Sequence, residues 1–204
     1  MHRLIMLSSA YQQGSTAAPA TLKGDPDNRL FGRMDRRRLE AEAVRDNLLA
    51  VSGRLDRTMG GLATRDFSNP RRTLYQMIVR SDRSGFGPLF DAADPETSVE
   101  KRTVSTVAPQ ALFLLNHPFV LEQTHALAKR LLTEAPGDDA SRVRRAYLLL
   151  YGRPSTDAEV RIGTAFLARS RAAGGAAPTA DMEARAWEEY CQVLLCANEF
   201  IYVD

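Results

Sequence analysis

Cysteine, histidine and tryptophan are scarce in this 204-residue chain, with 2, 3 and 1 of each. Cys191 and Cys196 stand five apart in a stretch that reads as helix, which turns their side chains about 140° from each other and excludes an easy disulfide. Neither a C-x-x-C-H haem attachment nor a paired C-x-x-C zinc signature occurs, so both read as small buried hydrophobes. His117 and His125 have Pro118 between them and a poor spacing for a metal pair. They read as structural, and no metal or haem ligand is assigned in this chain. Apolar runs are short as well. Leu148-Leu149-Leu150-Tyr151 and Val193-Leu194-Leu195 are core-sized, far below the ~20 residues of a membrane-crossing helix. No G-x-S-x-G elbow, P-loop or H-E-x-x-H pair is present, so no catalytic constellation is recognisable.

A strong excess of one charge is also missing. Lys and Arg total 27 against 25 Asp and Glu, a net +2 that does not argue for nucleic acid. Lysine is confined to Lys23, Lys101 and Lys129, so 27 − 3 = 24 of the cations are arginine throughout the chain. Between residues 29 and 83 there are 13 Arg against 7 acids, densest at Arg36-Arg37-Arg38. Such a stretch suits phosphates or an acidic partner, but no aromatics are interleaved to stack on bases. Nucleic acid is therefore the least favoured partner. Residues 1–13 lack the apolar length of a signal peptide, which for a mature chain reads as cytoplasmic.

What is present is helical periodicity. Residues 1–12 place Leu4, Leu7 and Tyr11 on one face, and 13–27 read as a loop ending in the turn Asp25-Pro26-Asp27-Asn28. From Arg38 to about Arg57, Val44, Leu48, Val51 and Leu55 form one apolar stripe, closed by Gly60-Gly61. Thr73–Arg80 suits a helix through Leu74, Met77 and Ile78 or a strand through Ile78-Val79, with helix preferred. Residues 81–101 are irregular. A central, deeply buried helix follows from Pro109 to Asn116, capped by Ser105 or Thr106, with Leu112, Phe113 and Leu114 or Leu115 inward. His117-Pro118 breaks it, and the next helix runs to Thr133 with Leu121, His125, Ala128 and Leu132 along one side. Further helices are expected over 141–151, from Ser155 to about Ala172 and from Asp181 to about Ile201, the last two joined by a Gly-rich linker at 174–178. The fold class is all-α: an irregular multi-helix bundle with long polar loops. It reads as one domain over 1–204, with an N-terminal part at 1–134 holding the central helix near 109–133 and a helical C-terminal part at 139–204.

Two polar segments draw attention. Glu42, Arg45 and Asp46 form an E-x-x-R-D cluster whose carboxylates share a helix face, a pairing that suits acid–base or metal chemistry. The structural alternative is a network in which Arg45 neutralises them, and such networks are common. Asp91, Asp94 and Arg102 lie in a loop with Glu96 and Glu100, offering hard oxygen ligands without the spacing of a calcium loop. Their structural alternative is loop pinning, with Asp91 and Arg102 satisfying backbone groups.

Several motifs together resemble one family. They are Asp25-Pro26-Asp27-Asn28-Arg29-Leu30, Arg38-Leu39 with Glu42 and Val44-Arg45-Asp46, Ala50-Val51-Ser52-Gly53, and Arg71-Arg72-Thr73-Leu74-Tyr75. Phe90-Asp91, Arg102 with Ser105-Thr106, Pro109-Gln110-Ala111-Leu112 with Leu115-Asn116, and Leu150-Tyr151-Gly152-Arg153-Pro154 continue the series. This order resembles the planctomycete-specific domain of unknown function fifteen fifty-three. The resemblance implies the C-terminal domain of a large, often cytochrome c-linked protein, with haem c in an upstream domain and a periplasmic, envelope-associated or secreted location. It also implies that Met1 follows further domain, the chain being N-terminally truncated. It implies no catalytic residues.

The expected role is an all-α interaction or scaffolding domain that packs against upstream domains or a protein partner. The alternative is a carboxylate-dependent hydrolase acting on a polymer such as polysaccharide, with Glu42, Asp46, Asp91 or Asp94 as acid and base.

Overall fold

A computed structural model of the chain describes residues 1–81, 84–135, 137–173 and 179–203. The chain divides into two units, Met1–Leu39 with Ile201–Asp204, and Glu40–Phe200.

The first unit carries α1 (His2–Met6), α2 (Pro19–Gly24) and β1 (Arg37–Arg38), which pairs antiparallel with β2 (Tyr202–Val203). α1 is one turn long, far shorter than the 1–12 periodicity suggests, because it has no side-chain cap and none of its residues is buried. α2 lies in the stretch read as loop; Pro19 at its start supplies a pre-set φ where an N–H is not needed. The turn at 25–28 is as its residues dictate. Asp25 accepts from the N–H groups of Arg29 (2.9 Å) and Leu30 (2.8 Å). The buried Asn28 donates to Arg33 O at 2.8 Å and adopts φ 53°, a left-handed conformation that asparagine tolerates.

In the second unit α3 (Ala41–Val51) buries Val44, Leu48 and Val51, three of the four residues of the expected stripe. The helix is shorter than the sequence suggests at its C-terminal end. Gly53 takes φ 78° there, so the chain turns before Leu55 rather than at Gly60-Gly61. Residues 52–72 are loop, followed by a 3-10 turn (Thr73–Tyr75) and the one-turn α4 (Phe86–Leu89).

α5 (Ala108–Asn116) starts where Pro109 suits a first turn, but its N-cap is Val107 rather than Ser105 or Thr106. It is not deeply buried. Gln110 and Leu114 face inward, while Leu112 and Leu115 are 58% and 45% exposed. A run of apolar residues has more faces than this short helix has neighbours. α6 (Pro118–Glu134) is capped by His117, whose Nδ1 accepts from Phe119 N–H at 3.2 Å. Its buried side includes Val120, Thr124, Leu127 and Leu131 with Ala128 of the expected stripe, rotated so that Leu121 and His125 are exposed.

α7 (Asp139–Tyr151) is capped by Asp138 and stopped by Gly152 at φ 68°. α8 (Asp157–Ala173) opens with a reciprocal cap, Glu159 accepting from Thr156 N–H (2.7 Å) and Thr156 Oγ1 from Glu159 N–H (3.3 Å). α9 (Ala180–Leu195) buries Trp187, Tyr190, Cys191, Leu194 and Leu195. It ends at Cys196, and α10 (Asn198–Ile201) follows as a separate turn. The expected linker at 174–178 lies outside the described residues. α6 packs on α9, α7 on α8 and α8 on α9, which makes the helical body all-α as expected. Arg171 ties α7 to α9 by pairing with Asp139 (2.6 Å) and Glu183 (2.7 Å).

Candidate functional site

Arg45 is the most heavily used of the polar residues singled out in the sequence. α3 carries it into the unit interior, where its side chain is fully buried. Its guanidinium donates to Phe67 O (2.7 and 3.2 Å), Arg71 O (2.9 Å), Asn69 O and Thr73 Oγ1 (3.2 Å). The planar fork thus meets three carbonyls of the 67–71 loop at once, a task lysine cannot perform. The rings of Phe67 and Phe119 lie 5.1 and 5.5 Å from its Cζ. Burial lowers the Arg45 pKa, partly offset by the charges of Asp46 and Asp66.

Asp46 completes the same fastening. Its Oδ1 accepts from Thr73 N–H (2.7 Å) and Thr73 Oγ1 (2.6 Å), 3.7 Å from Arg45 Nη1. Its Oδ2 stands 3.9 Å from Arg72 Nε. Glu42, one turn earlier, instead meets Arg102, with contacts of 2.7 and 3.2 Å from the two terminal nitrogens. Glu40 lies 3.4 Å from the same guanidinium. Burial alone would push the Glu42 carboxyl up; the Arg102 hydrogen bonds and charge, with a backbone N–H, outweigh it and hold the group below its ordinary range. The Glu42 hydrogen bonds in turn raise the Arg102 pKa.

Asp91 adopts φ 57° and accepts from Ser105 N–H (2.8 Å) and Ser105 Oγ (2.9 Å). Asp94 accepts from Glu96 N–H at 2.9 Å, closing its own turn. The six residues therefore fall into an Arg45–Asp46 group on the 67–73 loop, a Glu42–Arg102 pair, and two loop acceptors.

Three partners stood in the motif series without an assigned partner. Thr73 joins Arg45 to Asp46. Ser105 receives Asp91. Gln110 is buried and donates to Leu89 O (2.9 Å) and Ser105 O (3.3 Å), while its Oε1 accepts from Val107 N–H (3.3 Å). For Gln110 a signal existed, since a glutamine at the third position of a helix commonly reaches back to the cap. Thr73 and Ser105 stand in the motif series, Ser105 as a candidate cap, but nothing in their spacing marks them as the partners of Arg45, Asp46 and Asp91.

Phe67 packs near Phe86 (5.2 Å), Phe113 (6.3 Å), His117 (5.8 Å) and Phe119 (4.8 Å), so the loop that Arg45 holds also plugs an aromatic cluster. Desolvation lowers the His117 pKa. His125 pairs with Glu188 at 2.6 Å on the surface. Among the described residues, no group of three or more His, Cys, Asp or Glu is arranged to hold a metal ion. No helix of the described residues is long and apolar enough to cross a membrane.

These features define an all-α domain whose polar motif residues fasten long loops to helices. The chain belongs to the family described as PSD1, protein of unknown function (DUF1553), whose model matches residues 1–167. No curated protein and no solved structure matches the chain.

Proposed function

We propose that the chain is an interaction or scaffolding domain. Its setting, on the family resemblance, is the C-terminal part of a larger periplasmic, envelope-associated or secreted protein whose haem c domain lies upstream. The observation that carries this reading is the condition of the Glu42 carboxylate. It faces Arg102 with both oxygens and is held ionised, whereas a general acid needs a raised pKa. Asp46 and Asp91 are likewise engaged as acceptors for Thr73 and Ser105. A polymer hydrolase would need two of these carboxylates facing a shared substrate at about 5–10 Å, one of them protonated. Large exposed apolar residues add support, among them Leu112 and Leu115 on α5.

Two measurements test the reading. Purified chain should bind an apolar-surface dye and interact with itself or with partner domains in light scattering. A monodisperse monomer with no dye binding would count against it. Turnover of a polysaccharide that disappears in Glu42→Gln would replace it with the hydrolase.

A further inference from the structure

The tip of the 25–33 loop holds two large apolar side chains in water on a fastened backbone. Leu30 and Phe31 are 83% and 78% exposed. Phe31 has φ 53°, a conformation a bulky residue rarely adopts. The loop is closed from several sides. Asp25 accepts from Arg29 and Leu30 N–H, Asn28 bridges to Arg33 O and Asp35, and Arg33 donates to Asp25 O (3.1 Å) and Pro26 O (2.7 Å). A loop built only for solubility would not display a leucine and a phenylalanine side by side at this exposure.

The charge of the unit is one-sided. Residues 1–39 and 201–204 contain seven Arg and Lys against four Asp, an excess of 7 − 4 = 3, although the whole chain is near neutral. Arg29 and Arg37 are exposed, and Arg29 adjoins the apolar tip. Of the acids, Asp25 and Asp35 accept from groups of the loop itself. α1 and the residue that follows it repeat the combination, with Leu4 79% and Leu7 62% exposed beside Arg3. Exposed apolar side chains among excess cations suit the boundary of an anionic bilayer, where phosphates meet acyl chains. A hydrophobic pocket of a protein partner would match Leu30 and Phe31 but leave the exposed Arg29 and Arg37 unmatched.

We propose that this unit docks on an anionic lipid surface, with Leu30 and Phe31 entering the headgroup–acyl boundary and Arg29 facing the lipid phosphates. The proposal rests on the interaction-domain reading and names the chemistry of one partner. The test is co-sedimentation of the full chain with vesicles of phosphatidylcholine alone and of phosphatidylcholine with phosphatidylglycerol. The chain is expected to pellet with the anionic vesicles, less so as salt rises. The double variant Leu30→Ser/Phe31→Ser should partition at least about tenfold more weakly. Arg29→Glu, which leaves the apolar tip in place, should weaken binding to anionic vesicles alone. An unchanged circular dichroism melt is expected for each variant, because all three side chains are exposed. Absence of anionic-vesicle binding, or equal binding by wild type and both variants, overturns the proposal. Capture of a purified protein partner through Leu30 and Phe31 without vesicle binding overturns the lipid assignment and leaves the interaction reading standing.

Discussion

Arg102 reaches back across the fold to grip both carboxylate oxygens of Glu42, at 2.7 and 3.2 Å. A loop arginine is thereby tied to the first turn of α3, where a negative side chain already suits the helix dipole. The pair is only partly buried, with side-chain exposures of 31% and 38%, so it is screened and its contribution is modest.

Arg102→Ala should cost about 1 kcal/mol in urea unfolding at neutral pH. Glu42 has a folded pKa below its ordinary 4.5, so its contribution is present above the unfolded pKa. It is lost as pH falls through the folded value. The wild-type advantage over Arg102→Ala should therefore shrink as titration proceeds below about pH 4.5. An advantage that is flat across that window would assign the stability of the pair to packing instead.

Arg45 should be far less forgiving. Arg45→Met removes the donors of three loop carbonyls inside the fold and should destabilise by about 3–5 kcal/mol, enough to threaten folding. Arg45→Lys keeps the charge but not the fork, and should also destabilise measurably in chemical denaturation. Proteolysis within residues 62–72 should increase in both, since the 67–71 carbonyls lose their anchor. A lysine variant as stable as wild type would show that charge rather than geometry holds the loop.

Two glycines separate backbone strain from crowding. Gly152 stands at φ 68° with open space around a would-be Cβ, so Gly152→Ala should cost about 1 kcal/mol from conformation alone. Gly163 lies within α8, and a Cβ there would meet Tyr190 Oη at 2.5 Å and Cζ at 2.9 Å. Gly163→Ala should therefore destabilise by about 1–3 kcal/mol, despite the better helix propensity of alanine. Thermal melts of the two variants decide it; a more stable Gly163→Ala would mean that α8 and α9 separate with ease.

Arg153 grips Glu159 (2.7 Å) and Glu199 (2.5 Å) together. The Arg153 hydrogen bonds, with help from Thr156, bring the Glu159 carboxyl down to about 2. In Arg153→Ala the Glu159 titration, followed by NMR, should move up towards its ordinary 4.5. Because the folded pKa is depressed, the stability linked to Glu159 exists above pH 4.5 and drains as pH falls towards about 2. An unmoved Glu159 titration in the variant would assign the shift to Thr156.

The all-α class and most helix boundaries after residue 138 were legible because local chemistry marks them. Asp138, Gly152, and Thr156 with Glu159 each act within a turn of their own sequence position. The face of α6 was not legible. Leu121 and Leu132 compete with Val120, Leu127 and Leu131 for the core, and only the packed neighbour α9 decides between the two stripes. α5 misled for the related reason that apolar sequence reports affinity for a core without reporting how many neighbours arrive. The six candidate site residues were found as polar residues in unusual places, yet their roles depend on Thr73, Ser105 and the carbonyls of Phe67, Asn69 and Arg71. Backbone carbonyls leave no trace in a sequence. Phe67 and Phe119 reach Arg45 from distant segments, so a search for aromatics interleaved with arginines along the chain could not see them.

The pairing of Arg37–Arg38 with Tyr202–Val203 sets an order of events. Strand β1 leaves the ribosome well before its partner is made. At about 5–20 residues per second, roughly 10–30 s pass before β2 is available. Throughout that interval the backbone groups of β1 have no ladder, while Glu40–Phe200 holds a core of its own to condense around. The ribbon closes last. Maturation of the first unit thus waits for synthesis of residues 202–203, and a nascent chain stalled before them would carry an open β1 edge.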